Sequence, residues 1–357
     1  MNHLNEISVK LAEFGIDAMM LTHQANRFYA SGVDATGTDA LCVVTRSKHF
    51  YITDSRYIED AQAKVSGAEV KCTSHTVSYG DYLKEIIASC GISKMGYEEN
   101  YMTCALLQKY EAELDCSFVP AEKLVTDLRQ SKGEEEVACI VAAQRIAEGA
   151  LAEIVKFIQP GMTEREIAAK LVYDMLRFGA DKMSFEPIVV AGPNGSLPHG
   201  HPSDRPVQKG DFITMDFGCM VGGYCSDMTR TVALGEPTEE MRKVYDTVLK
   251  AQLAGIELMT VGVIGYEIHN AAAKIIGDAG YGAYFGHGFG HSVGIEIHEG
   301  PNAAPKGTVA IPEGAVVTAE PGIYLPGRFG VRIEDMVLFT KEGPVNLTEA
   351  PKELLVL

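Results

Sequence analysis

Two pairs of acidic residues in the C-terminal half are each placed symmetrically about a glycine turn. Asp216 and Asp227 flank residues 221–223, where alternating polarity predicts two antiparallel strands. We expect the two carboxylates to face each other, with Cβ atoms about 5 Å apart. Glu320 and Glu334 flank a second glycine turn in the same way, on otherwise apolar strands. Opposed carboxylates repel unless a cation lies between them, so two such pairs indicate bound metal ions, whereas one pair would be typical of a surface hairpin.

Histidines in two glycine-rich segments add imidazole groups to these acids. His287, His291 and His298 occur in GHGFGHSVGIEIHEGP, whose glycine content favours extended or looped backbone over a helix. His199 and His201 occur in a Gly/Pro-rich stretch that suits a substrate-facing loop, and we expect His201 to be solvent-exposed or packed within that loop.

One imidazole with four carboxylates is a hard ligand set. It suits manganese, cobalt, iron or catalytic zinc, and it argues against a thiolate-rich structural zinc site. The number of oxygen ligands suits two ions about 3.5–4 Å apart that share carboxylates and a water molecule.

The elements that must position these residues follow from hydrophobic periodicity. Apolar residues at three- or four-residue spacing predict a long helix over 131–158, which Pro160 ends. Thr163 and Glu166 form a capping-box pattern for a second helix, and a third is predicted over 238–259. Strands are predicted over 211–216, 224–231, 315–320 and 331–339, with a long loop over 321–330.

A shift of 101 residues relates two parts of this region. It superimposes Gly161, Glu166, Ile167 and Gly179 on Gly262, Glu267, Ile268 and Gly280. The match predicts an internal duplication about a pseudo-twofold axis, with a site built from both copies. The alternative is that glycine turns before helices recur by chance.

The N-terminal part alternates short helices and strands, including a hairpin over 40–52, and lacks a cluster of titratable residues. We interpret residues 1–125 as a small α/β capping or assembly domain and residues 126–357 as the catalytic domain, an α/β (α+β) organisation overall.

Composition excludes several classes of protein. The 357 residues carry a net charge of −17 without a basic patch, which argues against nucleic acid and anionic membranes as partners. An apolar run of about 18 residues, which a transmembrane helix needs, is absent from the sequence. The eight cysteines lack CxxC spacing, and the start of the chain lacks a signal-peptide pattern, so we expect reduced thiols in a cytoplasmic protein.

Five segments in order carry a resemblance to a known family. They are SFEPIVVAGPNGSLPHGHPSDRPVQKGDFITMDFG, YCSDMTRT, GHGFGHSVGIEIHEGP, TAEPGIY and VRIEDMVLF. Together they resemble the pita-bread metallopeptidases, most closely the Xaa-Pro aminopeptidase and prolidase (Xaa-Pro dipeptidase) branch. The resemblance spans essentially the whole chain. It implies a creatinase-like N-terminal domain, used for capping or dimerisation, followed by a catalytic domain with a pseudo-twofold repeat and a curved antiparallel sheet.

The resemblance also implies a role for each site residue. Asp216 would hold one metal ion, His291 and Glu320 the other, and Asp227 and Glu334 would bridge the two ions. His199, His287 and His298 match the family's histidines around the substrate, and Arg332 matches an arginine beside the last ligand. Glu320 would also carry the proton from the attacking water to the leaving nitrogen.

The implied function is an exopeptidase that hydrolyses the Xaa-Pro bond at the N-terminus of peptides or in dipeptides, through a hydroxide that bridges two divalent ions. Manganese is the foremost candidate, with cobalt, zinc or iron as alternatives, and a homodimer is expected. Two other readings stay open: a metal-free binding or scaffold homologue, and a creatinase-like C–N hydrolase. The intact ligand set weighs against both.

Overall fold

The computed structural model describes residues 2–37 and 39–357. Contacts divide the chain into two units, Met1–Arg129 and Gln130–Leu357. Each helix that the structure describes is too short or too polar to cross a membrane.

The N-terminal unit contains one mixed six-stranded sheet. Its helices are α1 Leu4–Lys10, α2 Gln24–Ser31, α3 Ile58–Lys64, α4 Tyr79–Cys90, α5 Cys104–Glu113 and α6 Lys123–Gln130. Its strands are β1 Ala18–Leu21, β2 Ala40–Thr45, β3 His49–Thr53, β4 Glu69–Cys72, β5 Lys94–Tyr97 and β6 Ser117–Pro120, in the order β4-β3-β2-β1-β5-β6. The predicted hairpin over 40–52 is confirmed as the antiparallel pair β2–β3.

Three helices of the C-terminal unit occur close to the segments predicted as helical, and a fourth follows Gly262, where the 101-residue shift implies one. They are α7 Glu134–Phe157, α8 Glu164–Arg177, α9 Glu239–Glu257 and α10 Gly265–Asp278. The capping box is confirmed: Thr163 Oγ1 accepts from the Glu166 N–H at 3.1 Å, and Glu166 Oε2 accepts from the Thr163 N–H at 2.7 Å. Helix α7 begins later than residue 131 because Gly133 is its N-cap, with extended backbone and its N–H donating to Glu136 Oε2 at 2.7 Å.

The strands of this unit form four sheets, and two of these sheets share a strand order. The strands are β7 Lys182–Met183, β8 Ile188–Ala191, β9 Phe212–Phe217, β10 Cys219–Val221, β11 Tyr224–Cys225, β12 Met228–Ala233, β13 Gly290–Ser292, β14 Glu299–Ala303, β15 Val316–Ala319, β16 Gly322–Leu325, β17 Phe329–Arg332, β18 Asp335–Thr340 and β19 Gly343–Asn346. The order β12-β9-β8 in one sheet recurs as β18-β15-β13 in the other.

The predicted duplication is visible in both helices and turns. Helices α8 and α10 are related by the 101-residue shift, from Glu164–Arg177 to Gly265–Asp278. The glycines that precede them, Gly161 and Gly262, have φ of +95° and +88°, and each donates its N–H to a carbonyl at 2.8 Å. Each repeat buries its own apolar core between a helix pair and a sheet, so the two sheets present matching positions to a common region.

The first hairpin corrects one prediction. Asp216 pairs with Thr229, and Asp227 lies in the break between β11 and β12, so the two aspartates do not face each other directly. The turn consists of Gly222 and Gly223, whose φ values of +58° and +83° define a two-residue loop. The hairpin is therefore centred between Gly222 and Gly223, one residue later in the chain than the midpoint of Asp216 and Asp227.

The second hairpin agrees with the prediction in register but not in its loop. The pairs Ala319↔Asp335 and Gly322↔Arg332 place Glu320 opposite Glu334, as expected. The segment predicted as a long loop is itself the paired hairpin β16–β17. Because Pro321 has no N–H to donate, the strand breaks there, and the two glutamates lie at that break.

Candidate metal centre

All nine residues predicted for the site line one cavity of about 440 Å³ in the C-terminal unit. They are His199, Asp216, Asp227, His287, His291, His298, Glu320, Arg332 and Glu334. His201 is exposed and is not part of this lining, as expected.

The four acids come from matching places in the two repeats. Asp216 lies near the end of β9, and Glu320 directly follows the corresponding strand β15. Asp227 directly precedes β12, and Glu334 directly precedes the corresponding strand β18. The duplication therefore delivers two acids from each repeat to one point.

His291 lies among these acids with one ring nitrogen directed at them. Its Nε2 is 3.3 Å from Glu320 Oε1 and 3.6 Å from Asp227 Oδ2. Its Nδ1 lies 3.2 Å from the Ser292 carbonyl, which can only accept, so the proton is on Nδ1 and the Nε2 lone pair is free. Asp227, His291 and Glu334 each offer a ligand atom, and these atoms lie within 4.8 Å of one another.

The electrostatics of the cluster call for a cation. Burial, and then the nearby carboxylates, raise the pKa of Asp227 and of Glu334 well above the ordinary values, and burial also raises the pKa of Glu320. Asp216 Oδ1 and Asp227 Oδ1 are buried without a hydrogen-bond partner among the described residues. Buried acceptor oxygens with mutually repelling charges fit divalent metal ions, so the residues present suit the predicted metals.

Arg332 is the cation that the chain itself places at this cluster. Its Nη2 contacts Asp216 Oδ2 at 2.6 Å, and its Nε donates to Thr229 Oγ1 at 3.0 Å. Thr229 Oγ1 in turn donates to Glu334 Oε2 at 2.6 Å. Arg332 thereby orients one acid directly and another through a hydroxyl group.

Tyr324 is a site residue that the sequence reasoning missed. Its hydroxyl accepts from Arg332 Nη1 at 2.8 Å and donates to His287 Nε2 at 2.9 Å, while His287 Nδ1 donates to the Gly288 carbonyl at 2.8 Å. Burial lowers the pKa of His287, which keeps the ring neutral, and burial raises the pKa of Tyr324 to about 12. The only sequence signal was the tyrosine that closes the TAEPGIY segment.

The remaining histidines lie toward the open side of the cavity. The ring of His298 is 4.4 Å from that of His291, edge to face, and His199 is exposed on its loop. Phe185, Ile188 and Ile297 supply an apolar part of the lining. The cavity thus combines a buried acidic end with histidines and apolar side chains that a ligand can reach.

Four acids and one histidine, drawn from two repeats and only partly neutralised by Arg332, make a candidate metal centre of duplicated architecture. The chain belongs to metallopeptidase family M24, which matches residues 138–341, and residues 4–131 match the Creatinase/Prolidase N-terminal domain. The resemblance noted in the sequence is thereby confirmed, and the protein is a metallopeptidase.

Relatives support the same assignment over the full length. The chain is 33% identical to the Xaa-Pro dipeptidase of Pyrococcus horikoshii, over 99% of this chain and 100% of that protein. It is similar to the structure of an Xaa-Pro dipeptidase from Bacillus anthracis, with a TM-score of 0.94, 37% identity and 99% coverage of both chains. It is also similar to the structure of an X-Pro aminopeptidase from Thermotoga maritima, with a TM-score of 0.92, 36% identity and coverage of 98% and 99% of the two chains.

Proposed function

We propose that this protein is an exopeptidase that hydrolyses the bond between a first residue and a following proline, in dipeptides or at the N-terminus of peptides. The observation that carries the proposal is the convergence of four acids and His291 in one cavity, with uncompensated carboxylate oxygens. The preference for proline is drawn from the names of the relatives.

The ligand roles are part of this proposal. We assign Asp216 to one divalent ion, His291 and Glu320 to the other, and Asp227 and Glu334 to both. The 3.3 Å and 3.6 Å distances from His291 Nε2 to its two acidic neighbours support a shared ion at that position. We propose manganese as the native metal because the donors are hard oxygens with one imidazole.

The chemistry divides between the metal ions and the side chains. Bound divalent ions acidify a water molecule and polarise a carbonyl group. Glu320, whose pKa burial raises, accepts the proton of the attacking water and delivers it to the leaving nitrogen. His298 or His199 donates a hydrogen bond to the oxygen that becomes negative in the transition state.

The cavity also has a place for the proline that the names of the relatives suggest. The nitrogen of a proline in peptide linkage carries no N–H. A proline substrate therefore loses no hydrogen bond at a site that offers no acceptor to a backbone N–H. We assign the ring to the region bordered by His199, His287 and Arg332, which lie in the same cavity lining.

A cleavage panel tests the proposal. Ala-Pro, Ala-Pro-Ala, Ala-Ala and creatine are each incubated with chelator-treated protein to which manganese or cobalt is returned. We expect cleavage of the proline peptides and little cleavage of Ala-Ala or creatine. Cleavage of creatine alone would favour the C–N hydrolase, and absence of both bound metal and turnover would favour the scaffold reading. The ratio of Ala-Pro to Ala-Pro-Ala turnover distinguishes a dipeptidase from an aminopeptidase.

Two further properties are proposed with this function. The eight cysteines are free thiols, which supports a reducing compartment, and we propose the cytoplasm. We also propose a homodimer, with a capping or dimerisation role for the N-terminal domain. A monomer mass measured by light scattering would contradict the homodimer.

A further inference from the structure

A buried arginine behind the metal centre holds the backbone at one of the acids. Arg230 is 3% exposed, and its Nη1 donates to the Glu334 carbonyl at 2.6 Å and to the Thr229 carbonyl at 2.9 Å. The Glu334 N–H donates to the same Thr229 carbonyl at 3.1 Å. The peptide units on both sides of Glu334 are therefore fixed by hydrogen bonds that do not involve its carboxylate.

Asp335 connects Arg230 to the end of strand β15, which Glu320 directly follows. Its Oδ1 accepts from Arg230 Nη2 at 2.8 Å, and its Oδ2 accepts from Gln252 Nε2 at 3.0 Å. The same Gln252 amide lies 3.4 Å from the carbonyl of Ala319, the residue before Glu320. One buried network thus reaches the backbone next to both glutamates.

The C-terminal segment, residues 347–357, completes the network. Lys352 Nζ contacts Asp335 Oδ2 at 2.5 Å. Arg230 also donates to the carbonyls of Ala350 and Pro351, at 2.7 and 2.8 Å. The segment is anchored beyond this point, since the Leu357 N–H donates to the Ala233 carbonyl at 2.8 Å.

The charged groups of this network attract one another, whereas the acids of the cavity repel one another. The Asp335 carboxylate lies between Arg230 Nη2, 2.8 Å from its Oδ1, and Lys352 Nζ, 2.5 Å from its Oδ2. Arg230, Asp335 and Lys352 are not part of the cavity lining.

We infer that Arg230, Asp335 and Lys352 are positioning residues that keep Glu320 and Glu334 at ligand spacing against their mutual repulsion, so that the C-terminal segment tunes metal affinity. The inference rests on the proposed function, because it takes the two glutamates as ligands. Groups that orient metal ligands from outside commonly matter for affinity almost as much as the ligands themselves.

Lys352→Met is the primary test, because the lysine side chain is 19% exposed and the change removes its contacts with Asp335 and, at 3.4 Å, with Gln252 Oε1 while Arg230 keeps its pairing with Asp335. Manganese binding to the full-length, chelator-treated protein is measured by titration calorimetry. We expect the Kd to rise about tenfold, at the lower end of the range for such supporting groups. Lys352→Arg keeps the charge and is expected to restore most of the affinity.

Lys341→Met is the matched control. Lys341 also forms an ion pair in this unit, with Glu313 at 3.1 Å, but its side chain is 74% exposed. We expect no change in its manganese Kd. Asp335→Asn is a second, stronger variant with nearly the same shape, for which we expect a larger rise in Kd; if it does not fold, Lys352→Met remains decisive.

The outcomes separate this inference from the proposed function. A lower melting temperature for Lys352→Met with an unchanged Kd would show a merely structural role and overturn the inference. A raised Kd with rescue by Lys352→Arg supports it. Wild-type protein that bound no manganese would overturn the proposed function, and the inference with it.

Discussion

Replacing Glu334 by glutamine tests the idea that the acids of the cluster repel one another. The amide keeps the shape and can still accept the hydrogen bond that Thr229 Oγ1 donates. It removes one buried negative charge that has no cation of its own. We therefore expect Glu334→Gln to stabilise the metal-free protein while it weakens metal binding, an unusual combination for a change at a functional site.

The size of the effect follows from the geometry. Ligand atoms of Asp227, His291 and Glu334 lie within 4.8 Å of one another. At an effective dielectric constant of 20, two unit charges at that distance repel by roughly 3.5 kcal/mol. Partial protonation of the wild-type carboxyls relieves part of this, so we expect a gain of about 2 kcal/mol, which raises Tm by about 4–8 °C for a domain of this size.

Thermal unfolding in chelator, measured from pH 5 to pH 8, is the assay. Burial and the neighbouring carboxylates raise the pKa of Glu334, so the wild-type folded state is favoured below that pKa and loses stability as the pH rises through it. The glutamine variant lacks this loss. Its advantage over wild type should therefore be largest at pH 8 and shrink toward pH 5.

Metal addition should reverse the order of the two proteins. Manganese at a hundred times its Kd stabilises the wild type by about 2.7 kcal/mol, whereas the variant should gain much less. Asp216→Asn is the control of opposite sign, because Asp216 is paired with buried Arg332 at 2.6 Å and its loss should destabilise the metal-free protein. A lower Tm for Glu334→Gln in chelator at pH 8 would refute the reasoning.

Two further changes test the roles of individual elements. His298→Ala should keep its bound manganese while kcat on Ala-Pro falls at least about 100-fold; loss of the metal would instead make His298 a ligand. Gly290→Ala should lower metal content measured by elemental analysis, because a Cβ there would lie 1.8 Å from the Thr318 carbonyl oxygen and displace His291. Gly286→Ala, where a Cβ would meet no atom within 4 Å, is its control, and equal metal content in both variants would contradict that account.

Local chemistry explains why much of the fold could be predicted. Helix α7 follows from apolar spacing, and the Thr163 cap of helix α8 depends on two residues three positions apart. The Glu320–Glu334 register was predictable because both residues flank one hairpin centred on Gly327. The Asp216–Asp227 register was not, because the left-handed conformations of Gly222 and Gly223 set the turn, and neighbouring glycines allow several turn types.

The sequence by itself determined which nine candidate side chains line one cavity, through residue types, hairpin symmetry and family motifs. Only the tertiary structure decided how they are held. Tyr324 forms hydrogen bonds with both Arg332 and His287. Arg332 pairs with Asp216, and Arg230 donates to the backbone carbonyl of Glu334. Two of these four contacts, those of Arg332 with Asp216 and of Arg230 with Glu334, join residues more than 100 positions apart. Such contacts arise from the packing of two repeats, which no local pattern encodes.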